Sequence, residues 1–305
     1  MKTKILLLGI LSASFLHAQK QSYKDVDEFV KAFKAPIISE KNLATVTHQI
    51  TDQWNADTLK ARAIFDFVAN YYDYDYDFLK EGFGKSTREG LGVCWQYSQL
   101  FGDMADVIGL ETRMIFGWSK AGYKDINKIN KKSYHAWNVI KINGQWRPVD
   151  CTWASGYMDK KTHDFVHVLD PSMFMTDKVV FSTTHHPDSG FQYIAYSTQS
   201  LESFYAAPLF HTKNFSKEFY FKPCGAKQLD FTDPKNPTVS FEYEGNIKEG
   251  SWTYSDVKEK EDYALKAEVK DGVIKFTFPE ELNVDGYLNI RYMKKSLVTL
   301  LISYG

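Results

Sequence analysis

The sequence predicts an α+β core followed by a small β-sandwich-like domain, on three observations. Two stretches carry apolar residues three and four positions apart, and an Asn-Gly dipeptide separates two runs of β pattern. Past about residue 215 the texture changes to short strands punctuated by Asp-Gly turns. With 305 residues, 44% of them hydrophobic and 16% aromatic, the chain can bury a large core. Its formal charge of −1 gives no general attraction to nucleic acid or to an anionic membrane surface.

Lys2 and Lys4 precede the apolar run Ile5 to Leu16, and Ala18 offers a cleavage point before Gln19. Residues 1–18 therefore read as a signal peptide, too short to span a bilayer as a mature helix. Export to a secreted or periplasmic location is the expectation, with no integral membrane segment after cleavage. Leu16 is an unusual residue at the minus-three position, so the cleavage point itself is left open. No cysteine stands nearby, which argues against a lipoprotein anchor.

Residues 22 to 50 read as one or two short helices around the core. Leu59, Ala63, Ile64, Phe67, Val68 and Tyr71 then mark an amphipathic helix behind the capping-type Asn55 and Asp57. The following Tyr71-Tyr72-Asp73-Tyr74-Asp75-Tyr76-Asp77 lacks the glycine and distal glutamate of an EF-hand loop. An extended cleft rim, with Tyr74 as a lining residue, is the preferred reading.

Gly90-Leu91-Gly92-Val93-Cys94 is a glycine-rich turn leading into a helix, marked by Tyr97, Leu100, Phe101, Met104, Ala105 and Ile108 and ended by Gly109. Cys94 thus falls at a helix N-terminus. Unpaired N–H groups and the helix dipole there favour an anion, hence thiolate over thiol. Thr112 to Trp118 reads as a strand, and the polar, lysine-rich Ser119 to Lys132 as a solvated loop.

Tyr134 to Ile142 and Gln145 to Asp150 flank Asn143-Gly144, the strongest local signal for a type I′ hairpin. A two-residue turn pairs Ile142 with Gln145, Val139 with Pro148 and Trp137 with Asp150. Pro148, which has no N–H, then falls at a non-hydrogen-bonded pair. His135 lies on the same face as Trp137, so His135 and Asp150 become diagonal neighbours, roughly 7–8 Å apart at the backbone.

Cys94, His135 and Asp150 together suit nucleophilic acyl transfer. Asp150 orients the imidazole and stabilises its cation, while His135 takes the thiol proton or pairs with the thiolate. Attack on an amide carbonyl gives a thioester that water or an amine resolves. The Cys94 backbone N–H is one candidate donor to the oxyanion. Each residue alone is more often a packing or strand-end residue; their order, helix-start placement and shared face make the combination informative.

Three cysteines in an oxidising compartment leave at least one unpaired. A Cys151–Cys224 bridge and two buried free thiols are both compatible with that count. His163 and His167 have helix-face metal spacing and His185-His186 follow, yet no HExxH glutamate accompanies them. A structural or aromatic-packing role is preferred for these histidines, and no metal or cofactor is expected.

Gly92-Val93-Cys94-Trp95-Gln96-Tyr97, Tyr134-His135-Ala136-Trp137-Asn138-Val139 and Trp146-Arg147-Pro148-Val149-Asp150-Cys151-Thr152-Trp153 resemble the transglutaminase-like superfamily. Asp170-Pro171-Ser172-Met173-Phe174, His186-Pro187, Phe191-Gln192 and Phe204 to Pro208 resemble the later segment of its kyphoscoliosis-peptidase-like branch. The resemblance covers roughly residues 50 to 210 and implies a papain-like fold with Cys94 as nucleophile, His135 as base and Asp150 as orienting acid. Trp95, where relatives often carry a small or acidic residue, and Cys151 directly after the acid depart from the pattern and leave substrate preference open.

The expectation is therefore a secreted, thiol-dependent amide hydrolase or acyltransferase acting on a peptide or protein. Trp95, Tyr74 and Trp137 are its candidate cleft residues. A non-catalytic peptide- or glycan-binding module on the same fold is the alternative. Residues 19–212 would form the transglutaminase-like domain and 213–305 a β-rich domain, which binds substrate, docks to a surface or covers the core.

Overall fold

The computed structural model describes residues 22–76, 90–129, 134–188, 190, 199–214, 219–222, 229–230, 232–233, 235–247, 251–258, 261–280, 282 and 286–302. The expected signal peptide, Asp77, Phe191-Gln192 and Cys224 lie outside the described residues.

Helix α1 (Tyr23–Ala32) opens with a reciprocal cap, in which the Ser22 side chain accepts from Asp25 N–H and the Asp25 carboxylate accepts from Ser22 N–H. Helix α2 (Leu43–Thr51) and helix α3 (Asp57–Tyr71) follow. The N-cap of α3 is Ala56, which makes no side-chain cap; Asp57 sits instead in the first turn, where its charge suits the helix dipole. Every residue from Ala61 to Ala69 is buried, so α3 is a core helix rather than a half-exposed one. Burying both faces is what its Ala61, Ala63 and Ala69 allow, since small side chains let neighbouring elements approach closely.

Strand β1 (Asp73–Tyr74) pairs in parallel with β2 (Leu91–Gly92), which sets Tyr74 opposite Gly92 immediately before helix α4 (Cys94–Val107). The apolar stripe of α4 buries Tyr97, Leu100, Phe101, Met104 and Ala105 against α3, β3 (Thr112–Ser119) and β4 (Tyr134–Ile142). Gly109, at φ +73°, turns the chain out of the helix.

β4 and β5 (Gln145–Val149) form the expected hairpin, with Ile142 opposite Gln145 and Val139 opposite Pro148. Asn143 and Gly144 both have positive φ, as a type I′ turn requires. The ladder stops one pair short of the expected Trp137–Asp150 match, at Asn138 opposite Val149. Asp150 turns away, donates its N–H to the Met173 carbonyl at 3.1 Å and caps helix α5 (Cys151–Ser155). β6 (Gly156–Met158) and β7 (Phe165–His167) form a small hairpin, and α6 (Lys178–Phe181) leads into β8 (His185–Pro187). The four-stranded antiparallel sheet runs β5-β4-β3-β8.

Two loop readings are corrected by the fold. Ser119 and Ile126 are buried, and Lys120 is fully buried rather than solvated. The Lys120 ammonium donates to the carbonyls of Phe204, Ala207 and Pro208 at 2.9, 2.8 and 3.1 Å, around the end of α7 (Leu201–Ala206). Carbonyls left open at a helix C-terminus are natural partners for a buried cation. His163 and His167 share no helix face either: His163 lies in a turn at φ +60° and His167 ends β7.

The C-terminal strands form two sheets over one core. β9 (Leu209–Phe210) is the edge of a sheet ordered β13-β12-β16-β17-β9, built from β12 (Trp252–Asp256), β13 (Tyr263–Ala264), β16 (Tyr287–Tyr292) and β17 (Lys295–Leu301). The other runs β10-β11-β15-β14, from β10 (Phe219–Phe221), β11 (Thr238–Gly245), β14 (Lys266–Lys270) and β15 (Val273–Thr277). Phe221, Phe241 and Phe276 of one sheet share a buried cluster with Tyr254, Ile290 and Val298 of the other, a sandwich packing.

Candidate active site

Cys94 is the first residue of α4, behind the extended N-cap Val93. Gln96 folds back to accept the Val93 N–H at 2.9 Å, which fixes the entry into the helix and with it the position of the thiol. The Cys94 side chain is a free thiol, partly open to solvent. His135 sits near the start of β4, 6% exposed, close enough to Cys94 for the thiol to act on its proton affinity. Its Nε2 lies 2.7 Å from Asp150 Oδ2.

Asp150 is fully buried because the chain leaves β5 there and begins α5. Its Oδ1 accepts the Trp153 N–H at 2.9 Å, and its Oδ2 is shared between His135 Nε2 and His185 Nε2, the latter at 3.1 Å. Burial alone would push the Asp150 carboxyl upward. The charge of His135 and the hydrogen bonds from both histidines outweigh it and hold the group well below the usual carboxylate range. For His135, burial opposes the cation, but the Asp150 charge and hydrogen bond, aided by Cys94, raise it well above the ordinary imidazole range. The arrangement thus favours a carboxylate paired with an imidazolium.

The structure brings Cys94, His135 and Asp150 together and sorts the three candidate cleft residues. Trp95 is 48% exposed beside the thiol. Tyr74 stands over the same helix start, where burial and then the Cys94 charge push its hydroxyl above the ordinary tyrosine range. Trp137 is a correction: at 1% exposure it is part of the core, packed against His135, His185 and Phe181, and not a wall open to substrate. Its place on the same strand face as His135 puts it beneath the imidazole.

Sequence reasoning gave His185 a packing role and missed its bond to Asp150. Thirty-five positions separate the two, and no local spacing joins them. It also missed Tyr157, 53% exposed on β6, and the tie that holds this hairpin to β1, His167 Nε2 to Asp73 Oδ1 at 2.8 Å. Tyr76 adds a hydrogen bond to the Met158 backbone. Cys151 is a buried free thiol, raised far above its usual range by burial, Asp150 and Asp66.

The donor atoms of His135, Asp150 and His185 all lie within 4.8 Å of one another, the spacing of a conceivable metal site. The 2.7 Å from His135 to Asp150 is nevertheless a hydrogen-bond separation. Two ligands on one zinc ion, each about 2.0–2.2 Å from it, would stand about 3.3 Å apart. As arranged, the three groups share protons.

Residues 44–151, which include Cys94, His135 and Asp150, match the family model of the transglutaminase-like superfamily. They form a transglutaminase-like domain. The chain is also similar to kyphoscoliosis peptidase of Mus musculus, 26% identical over 195 residues, covering 62% of this chain and 29% of that protein. To kyphoscoliosis peptidase of Homo sapiens it is 25% identical over 189 residues, covering 59% of this chain and 29% of the relative. The matched part thus spans less than a third of these relatives' length. Red sea bream transglutaminase superposes only weakly, with a TM-score of 0.30 at 10% identity over 92% of this chain and 58% of that one. The matched domain is transglutaminase-like, and the similarity of the chain to the two peptidases lies on the kyphoscoliosis-peptidase side of that superfamily.

Proposed function

We propose that the transglutaminase-like domain is a thiol-dependent amide hydrolase or acyltransferase in which Cys94, His135 and Asp150 do the chemistry. The observation that carries this reading is the arrangement itself: a free thiol at a helix start, beside an imidazole that a buried carboxylate holds at 2.7 Å. With Nε2 committed to Asp150, His135 presents Nδ1 to the thiol. In the ion pair that the raised His135 favours, the Cys94 proton already sits on the imidazole, and the thiolate attacks the carbonyl carbon of a peptide amide. The backbone N–H of Cys94, one of the open donors of the first helical turn, is aimed at the developing oxyanion. His135 then returns its proton to the leaving amine. Water or a second amine attacks the thioester and frees Cys94.

Exposed aromatic side chains, Trp95 and Tyr157, together with Tyr74 and Tyr76, suit a peptide or protein substrate. Residues 1–18 are proposed as a signal peptide that directs the chain to a secreted or periplasmic location. Residues 19–212 would carry the chemistry, and 213–305 the β-rich domain.

The test is incubation of the purified protein with a peptide mixture, with and without a dansylated primary amine, followed by mass spectrometry of products and of Cys94. An acyl adduct on Cys94 and turnover lost in Cys94→Ala support the reading; the share of dansylated product separates acyl transfer from hydrolysis. Peptide retained without an adduct or product would point to a binding module.

A further inference from the structure

We infer that His185 is a positioning residue of the same site, a neutral imidazole whose Nε2–H locks the Asp150 carboxylate toward His135. The inference rests on the triad reading above and adds to it a fourth side chain, supplied by β8 at the edge of the sheet.

The Asp150 carboxylate receives fixed donors on both oxygens: the Trp153 N–H on Oδ1, and the Nε2 atoms of His135 and His185 on Oδ2. A carboxylate tied at both oxygens cannot rotate about its side-chain bond without breaking one of them. An ionised Asp150 has no proton to offer, so His185 Nε2 must carry one. His185 Nδ1 is then the acceptor, and the Thr184 hydroxyl stands 3.0 Å from it with its single proton also within reach of the Phe181 carbonyl at 3.3 Å. Thr184 can serve this tautomer by turning its proton from the Phe181 carbonyl to Nδ1.

The ring is held in place on every side. It stacks on Phe181 at 3.9 Å between centroids and 11° between planes, and meets Trp153 at 4.4 Å and Trp137 at 5.2 Å. Only 1% of His185 is exposed. Burial holds its pKa below the ordinary imidazole range despite the pull of Asp150, so it stays neutral where His135 is cationic. The two histidines therefore divide one oxygen between a charged donor, which exchanges protons with Cys94, and a neutral one that does not. The titratable groups that act on this cluster are Cys94, Tyr74, His135, Asp150, Cys151 and His185 itself.

Removing the neutral donor frees the Asp150 carboxylate to turn away from His135, and a carboxylate that has turned away stabilises the imidazolium less. The acid limb of thiolate reactivity must then move to higher pH. The experiment measures Cys94 alkylation by iodoacetamide against pH in the wild type, His185→Phe and His185→Gln, and reads the His185 tautomer by 15N NMR of the wild type. The expected results are an acid limb raised by about one pH unit in His185→Phe, a limb close to wild type in His185→Gln, which keeps an N–H donor, and a neutral Nε2–H tautomer at neutral pH. A purely packing role predicts the reverse order, with Phe tolerated on the Phe181 ring and Gln not. Coincident wild-type and His185→Phe profiles, or a doubly protonated or Nδ1–H His185, would overturn the inference. If His185→Phe does not fold, the Gln profile and the tautomer still decide. The tautomer is independent of Cys94 reactivity, so an inert thiol in the wild type would sink the triad reading without being mistaken for failure of the His185 bond.

Discussion

Gly117 lies so close to His186 that a Cβ added to it would stand 2.2 Å from the His186 carbonyl oxygen. The same Cβ would come within 2.8 Å of Pro187 Cα and of the Trp137 ring. Gly117 on β3 is paired with Pro187 on β8, and the next two pairs bring in His186 and then His185. A hydrogen atom at residue 117 is therefore what lets β8 close on the sheet and deliver His185 to Asp150.

Gly117→Ala is expected to destabilise the fold by about 3 kcal/mol, the upper range for overpacking against backbone that cannot yield. Urea unfolding checks the stability, and Cys94 labelling in the folded fraction should slow as β8 is pushed away. An unchanged midpoint would contradict the close approach.

Asp150→Asn should lower turnover by about 10³–10⁴-fold, because an amide neither carries the charge nor holds the imidazole tautomer. The lowered Asp150 contributes stability above the ordinary carboxylate pKa, lost as pH falls through its folded value. The raised His135 contributes stability at pH below the ordinary imidazole value, lost as pH rises through its higher folded one. Thermal melts should thus show the variant weakened most between about pH 4 and about pH 6.5, with the gap narrowing on either side.

Arg62 sits between Asp27 and Asp66, with its Nε at 2.8 and 2.9 Å from the two carboxylates. One guanidinium does not satisfy both. Burial and the neighbouring Asp27 push Asp66 up to about 8, against the opposing pull of Arg62. A carboxyl that binds its proton more tightly when folded loses stability as pH rises from the unfolded value toward 8. Asp66→Asn, always neutral, should gain melting temperature relative to wild type between pH 6 and pH 9; a constant difference would show that Asp66 is ionised throughout.

Lys120→Met removes a buried charge and leaves three carbonyls around the end of α7 without that donor. A loss of about 3–5 kcal/mol is expected in urea unfolding, the cost of breaking a buried charged cluster from one side. A loss below about 1 kcal/mol would mean that water replaces the ammonium at those carbonyls.

What was legible in the sequence is what local rules encode. The Asn143-Gly144 turn fixed the β4–β5 register, and the helical stripe from Tyr97 to Ile108 fixed α4 and so the place of Cys94. From these two elements alone, His135 and Asp150 were within reach of each other. What was not legible depends on contacts distant in sequence. Lys120 looks solvated in a lysine-rich stretch because its partners lie more than 80 positions away. Trp137 looks like a cleft residue until β8 and Phe181 cover it, and His185 looks like packing until the fold sets it against Asp150. The histidine pair at 163 and 167 mimics a helical metal spacing, but the chain turns at His163 before β7.

The most direct test of the account is the rate of Cys94 alkylation by iodoacetamide from about pH 4 to about pH 9, in the purified protein and in His135→Ala, with the labelled site located by mass spectrometry. A thiol activated by His135 and Asp150 predicts fast labelling that collapses in His135→Ala. Slow labelling that follows an ordinary thiol profile, identical in the two proteins, would contradict it.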